Sequence, residues 1–193
     1  MDVYWVAQGR VQVALLSPAG HEVILRDQGA GDMFGEMAPI DQLPRSATII
    51  ALEDCVLISV PGRAFCDAVF GHPAAAEWLA RLLTVRIRDL TNKVFELNAL
   101  RVPSRLHCEL LRLCGAHKDD LDLVVIEPSP THAQLAARIG THREAVTREM
   151  GFLVEQGIVR QDRRRLTIID LAALARLVRL AAGQAGGNVE LSA

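Results

Sequence analysis

Between Pro73 and about Arg101, Leu79, Leu82, Leu83, Val85, Ile87, Leu90, Val94, Leu97 and Leu100 recur at intervals of three and four. That period specifies a single helix of about 40 Å, at 1.5 Å per residue, with a wide apolar stripe along its flank. A stripe of this width needs more cover than a small neighbouring domain can give. A second copy of the chain packed along it, coiled-coil fashion, is the expected solution, the alternative being a core helix within one chain.

The residues before the helix follow another rhythm. Val3 to Ala7, Val11 to Leu16 and Glu22 to Leu25 read as short strands, separated by turns at Gln8-Gly9 and Ser17-Pro18-Ala19-Gly20. Ala47 to Ala51 and Val56 to Val60 add two more, and Pro61-Gly62 opens a short helix, Arg63 to Phe70, ended by Gly71. Regularly spaced short strands with glycine punctuation point to a small barrel or β-roll.

Inside that front half, Gly35 to Thr48 reads GEMAPIDQLPRSAT, too polar and proline-rich for a strand. It delivers the Glu36 carboxylate, the Arg45 guanidinium and the Ser46 hydroxyl to one end of a β-rich segment, with Phe34 and Met37 as apolar flanks. Arginine can fork onto a phosphate, glutamate can accept from a sugar hydroxyl, and backbone N–H groups at a helix start favour an anion. The set suits a ribose-phosphate. On spacing alone, a Glu and an Arg nine apart are usually two solvated charges or a weak surface ion pair.

After the long helix, Val102-Pro103-Ser104 reads as a hinge into a further helix, Arg105 to Cys114. An acidic linker, Lys118 to Asp122, leads to a brief strand, Leu123 to Ile126. Thr131 then caps a short helix stopped by Gly140. Thr141 is expected to cap the next helix in a capping box with Glu144, with Val146, Met150, Leu153 and Val154 as its inner face. Two short helices joined at a glycine, the second bearing Arg143, Glu144 and Arg148 on one solvent-facing sector, form a helix-turn-helix signature. Arginine can read a guanine edge and glutamate a cytosine amino group, whereas Thr141, His142 and Thr147 suit phosphates or caps. Ile158 to Arg160 and Arg165 to Ile169 make a hairpin whose tip carries Arg163 and Arg164, a basic wing. A helix from Leu171 to Leu180 packs behind, and the glycine-rich end from Gly183 is expected to fray.

Charge supports this division. Residues 130 to 180 hold nine arginines against five acids, although the whole chain carries only −2. The back half is therefore the part suited to a polyanion. Cys55, Cys66, Cys108 and Cys114 have no C-x-x-C spacing and read as buried thiols of a reducing compartment. No apolar run reaches the length of a bilayer span, so a cytoplasmic protein is expected. A cupin-type metalloenzyme would need clustered histidines in the roll, where His21 stands alone, and no nucleophile–base pairing or P-loop is evident. An enzyme is not expected.

The stretch FGEMAPIDQLPRSATIIALED resembles the phosphate-binding cassette of cyclic-nucleotide-binding domains. The resemblance implies that Glu36 takes the ribose 2′-hydroxyl and Arg45 the cyclic phosphate, helped by Ser46, with Gly35, Met37 and Ala38 completing the cassette. Pro39 stands where a larger aliphatic residue is common. The order of cassette, long helix, hinge and winged helix with REAVTR is similar to the CRP/FNR superfamily of bacterial transcription regulators. It implies an α+β fold: a β-roll over 1–72, a dimerisation helix over 73–101, a winged helix-turn-helix over 102–182 and a tail from 183. Members usually have a helix and further strands ahead of this point, so a roll shortened at its N-terminus, with exposed edges, is expected.

The implied effector is a cyclic nucleotide, cAMP ahead of cGMP. The implied partners are a second copy, double-stranded DNA with a two-fold symmetric site, and RNA polymerase. REAVTR implies a TGTGA-like half-site read by Arg143, Glu144 and Arg148. Where cAMP-binding members place two adjacent hydroxyl residues against the adenine, this chain reads Leu90-Thr91, leaving Thr91 alone for that role. The oxygen-sensing branch's N-terminal cysteine group is lacking. A different switch, whether haem, another metabolite or no ligand, remains the alternative, with His21, His72 and the cysteines as the only candidate axial ligands.

Overall fold

The computed structural model describes residues 1–18, 20, 22–115 and 123–184. His21, the linker 118–122 and the tail beyond 184 lie outside them. The chain divides into two compact units, the first Met1–Arg88, the second beginning at Asp89.

In the first unit β1 (Asp2–Gln8) pairs with β4 (Met33–Phe34) and β6 (Val56–Pro61), giving the sheet order β4-β1-β6. A second antiparallel sheet runs β3 (Glu22–Gln28), β2 (Val11–Leu16), β5 (Thr48–Ala51). Val6 and Phe34 of one sheet meet Val11 of the other in a buried cluster, which makes the pair a roll. Val11 to Ala14 of β2 and both residues of β4 are buried in succession, so both faces of these strands are covered. Helix α2 (Gly62–Gly71) and the first half of α3 (Pro73–Ala99) close one face: Phe65, Val69 and Leu79 are buried with Val3 and Met33.

Helix α3 is one continuous element, and the boundary between units falls within it. Its stripe is not uniform. Leu79, Leu82 and Leu83 pack onto the roll, whereas Val85, Ile87, Leu90, Val94 and Leu97 are exposed. The break after α3 lies slightly earlier than the hinge expected at Val102 to Ser104. Helix α4 (Val102–Gly115) already includes Val102, Pro103 and Ser104, and the break is at Leu100-Arg101. Proline in a first turn costs little, because its missing N–H has no intrahelical partner there.

The second unit is a winged helix-turn-helix. Helix α5 (His132–Ile139) packs against α6 (Arg143–Glu155), and both pack on α4. A sheet of order β7-β9-β8 joins Val124–Ile126, Leu166–Ile168 and Val159–Gln161, with α7 (Leu171–Gln184) against α4. Leu106, Leu110, Leu135, Val146, Met150, Leu153, Leu166 and Ile168 form its core. Val154, expected on the inner face of α6, is exposed, because it lies outside the sector of Val146, Met150 and Leu153.

Candidate functional site

A cavity of about 280 Å³ opens in the roll. That is near the lower end of the roughly 300–1,000 Å³ typical of small-ligand sites. One wall is a row across the sheet, where Arg26, Val13 and Ile49 stand side by side in the β3-β2-β5 register. Tyr4 and Phe34, opposite each other on β1 and β4, stack with ring centroids 5.3 Å apart and supply aromatic lining. The remaining wall is the polar segment after β4. Gly35, Glu36, Met37, Ala38, Arg45 and Ser46 all face this one cavity. Residues 37–41 form the short helix α1 (Met37–Asp41). Thr91 is exposed on α3 beyond the first unit and does not line the cavity.

Glu36 is buried, 4% exposed, and its Oε1 accepts from the Arg86 guanidinium, which also donates to the Met33 carbonyl. A buried carboxylate requires such a partner, since desolvation without one costs several kcal/mol. The second carboxylate oxygen retains acceptor capacity for a ligand hydroxyl. Arg86 escaped the sequence reading. Its signal was present, however: with Leu79, Leu82 and Leu83 it completes the 3–4 spacing on the buried face of α3, a charge where the stripe calls for an apolar residue.

Arg45 is exposed and donates from Nη1 to the Gly35 carbonyl (2.7 Å) and from Nη2 to the Asp2 carbonyl (2.6 Å). Gly35 is required for this approach. Its φ is +81°, and a Cβ there would lie 2.6 Å from Arg45 Nη1. The guanidinium is thus poised at the cavity on neutral carbonyl acceptors, which an anion can displace because it adds an opposite full charge and a bidentate fit. The Ser46 hydroxyl makes only a long contact, 3.6 Å, to Met37 Sδ.

Of the axial-ligand candidates, His72 is exposed after α2, and Cys55 and Cys66 are half-buried. Cys108 and Cys114 are buried in the second unit. No group of three His, Cys, Asp or Glu suited to a metal occurs among the described residues.

In the second unit Arg143, Glu144 and Arg148 are exposed on α6, and Arg163 and Arg164 are exposed at the wing tip. The expected Thr141–Glu144 capping box is not formed. The N-cap of α6 is His142, without a side-chain cap bond, and Thr141 is instead half-buried with its N–H donating to Ala136 O. The capping box belongs to α5, where Thr131 and Gln134 satisfy each other's backbone N–H groups. Glu144 is therefore released from a structural duty. Thr147 bonds to His132 Nδ1 (2.8 Å) and to the Arg143 carbonyl (3.0 Å).

Behind this surface His107 of α4 meets Glu149 of α6 at 2.7 Å. Burial lowers the imidazole's pKa, and the hydrogen bond and charge of Glu149 raise it only in part. Burial prevails, so at neutral pH this is a neutral imidazole bonded to a carboxylate rather than an ion pair. Glu96 and Glu109 are buried, Arg112, itself exposed, bonds to both, and Arg138 lies 3.4 Å from Glu109.

The family model of the cyclic nucleotide-binding domain matches residues 1–72, and that of the Crp-like helix-turn-helix domain matches residues 104–177. The chain is 32% identical to a cyclic AMP receptor protein of Thermus thermophilus, over 82% of this chain and 70% of that protein. It is 28% identical to a CRP-like cAMP-activated global transcriptional regulator of Mycobacterium tuberculosis, over 92% of this chain and 80% of that one. Among solved structures, a CRP/FNR-family transcriptional regulator of T. thermophilus superposes with a TM-score of 0.77 at 26% identity. That match covers 93% of this chain and 88% of the other.

Proposed function

The chain belongs to the CRP/FNR superfamily of transcription regulators, and on that premise we propose that it is a homodimer whose DNA binding is gated by a cyclic nucleotide. The carrying observation is that the whole candidate cassette, Gly35 to Ala38 with Arg45 and Ser46, lines one cavity with an aromatic and aliphatic wall. Arg45 leaves the carbonyls of Gly35 and Asp2 and forks onto the cyclic phosphate, with Ser46 beside it. Glu36, held by Arg86, accepts from the ribose 2′-hydroxyl, and the base lies along the Tyr4 and Val13 side. cAMP is the favoured nucleotide, because the M. tuberculosis and T. thermophilus relatives are named for it.

Arg86 belongs to α3, so occupancy at Glu36 bears directly on that helix. The exposed residues Val85 to Leu97 on α3 are the surface for a second copy, where Thr91 can meet a ligand. A change along α3, passed through Leu100-Arg101, sets two copies of α6 about 34 Å apart, one turn of B-DNA. Arg143, Glu144 and Arg148 then read base edges, while Thr141, His142, Arg163 and Arg164 meet phosphates. RNA polymerase is the partner that a transcriptional output requires.

Calorimetric titration of wild type and Arg45→Ala with cAMP and cGMP tests the ligand assignment. Saturable heat is expected with wild type and none with the variant. Absence of heat with both nucleotides on wild type would remove the gating role.

A further inference from the structure

The first turn of α6 and the wing are joined by one imidazole. His132, the first residue of α5, approaches Thr147 Oγ1 with Nδ1 (2.8 Å) and Gln161 Oε1 with Nε2 (3.0 Å). The Thr147 hydroxyl in turn donates to the carbonyl of Arg143 at 3.0 Å. A hydroxyl has one proton and a neutral imidazole one N–H: with the Thr147 proton on Arg143 O, His132 Nδ1–H donates to Thr147 Oγ1, and Nε2 accepts from the Gln161 carboxamide when that amide is turned to present its NH2. One end of the chain of bonds is therefore the backbone of Arg143, the first residue of the DNA-facing helix. The other end is Gln161, the last residue of β8, immediately before the wing turn closed by Asp162 N–H to Arg165 O. His132 itself is anchored: Thr131 and Gln134 cap its helix and Leu135 and Ala136 are buried beneath it.

We infer that His132 is a positioning residue that fixes the recognition helix and the wing as one rigid reading surface for DNA. This rests on the assignment of α6 and the wing as the elements that meet DNA. The ring is only half-buried and its bonds are neither core contacts nor helix caps. The unit is held together by Leu106, Leu110, Val146, Met150 and Leu153, so losing the ring loosens the relation of the two elements without unfolding them. Its effect falls on discrimination between sequences, because base contacts tolerate small displacements far less well than phosphate contacts do.

Two isosteres separate the halves of the bridge. An Asn carboxamide nitrogen stands where Nδ1 stands and keeps the Thr147 bond; a Gln carboxamide reaches where Nε2 stands and, with its oxygen or its nitrogen, keeps the Gln161 bond. The probes are a duplex enriched by the wild-type full chain from a random-sequence library, with and without cAMP, and a scrambled duplex of equal length. The ratio of affinities for the two duplexes is measured with its salt dependence for His132→Ala, His132→Asn and His132→Gln. Thermal midpoints serve as the folding check. The expected result is a roughly tenfold loss of discrimination in H132A, a loss of the same kind in H132N and H132Q because each keeps only one half of the bridge, and midpoints close to wild type. Thr147→Val reproduces H132Q, and adding it to H132A costs nothing further.

Equal weakening on both duplexes, with a salt slope reduced by about one in all three variants, would overturn the inference in favour of a direct phosphate contact. Wild-type discrimination in either isostere, or in H132A, also overturns it, while leaving the DNA-reading assignment intact. A wild type that enriches no motif under either condition defeats that assignment, and the positioning role with it.

Discussion

A carboxylate taken out of water needs a countercharge, and Glu36 finds one fifty residues along the chain at Arg86. Arg86→Ala leaves that charge buried and uncompensated, so urea unfolding should show a loss of about 3 kcal/mol. Arg86→Ala with Glu36→Gln should recover much of it. That Glu36 and Arg45 face one cavity was legible from the resemblance of the whole local stretch to a phosphate-binding cassette, not from their spacing alone. Arg86 and His132 were not, because each acts through a partner distant in sequence, and nothing local marks the pairing. The buried thiols make a second residue-scale prediction. Burial pushes Cys108 up to about 12 and Cys114 up to about 11. In native protein at pH 8 both should resist a thiolate-directed reagent and react only on unfolding. His107 adds a pH dependence. Its folded pKa lies below the ordinary value near 6.5, so the unfolded chain takes the proton first. Stability is fully present above about pH 6.5 and declines as pH falls below it. His107→Gln should flatten that decline, as read by thermal melts across pH 5 to 7.5.

Among the elements, α3 shows where periodicity informs and where it misleads. Its length and helical state followed from the 3–4 spacing, yet the stripe serves two surfaces, with Leu79 to Leu83 on the roll and Val85 to Leu97 in the open. Periodicity reports a face, not what covers it. Substituting Val94 by Glu places a charge in the exposed part. Sedimentation should show a dimer for wild type and a monomer for the variant, with the far-ultraviolet dichroism retained. The break at Leu100-Arg101 differs from the hinge expected at Val102 to Ser104 because Pro103 reads as a breaker but sits in a first turn, where it is tolerated. The α6 cap shifted for a related reason. Thr141 and Glu144 fit the pattern of a capping box, but the Thr141 N–H is drawn to Ala136 O at the end of α5, and the helix starts two residues later. Glu109 on α4 is a further test at this scale: it is buried and bonded to Arg112 and Arg138. Glu109→Ala should destabilise the winged unit by about 3 kcal/mol in denaturant unfolding, moderated because Arg112 is partly exposed.

For the molecule as a whole, the proposed gating couples the cavity of the first unit to the helix-turn-helix of the second. A ligand can shift such an equilibrium only by its differential affinity for the two states, typically 5- to 150-fold. The direct test is the affinity of the full chain for its enriched duplex, followed by fluorescence anisotropy as cAMP is added, for wild type and Arg45→Ala. The account predicts that wild-type affinity rises at least about fivefold and saturates, while the variant stays at the nucleotide-free value. Wild-type affinity that remains flat with both cAMP and cGMP, or a variant that responds as wild type does, would contradict it.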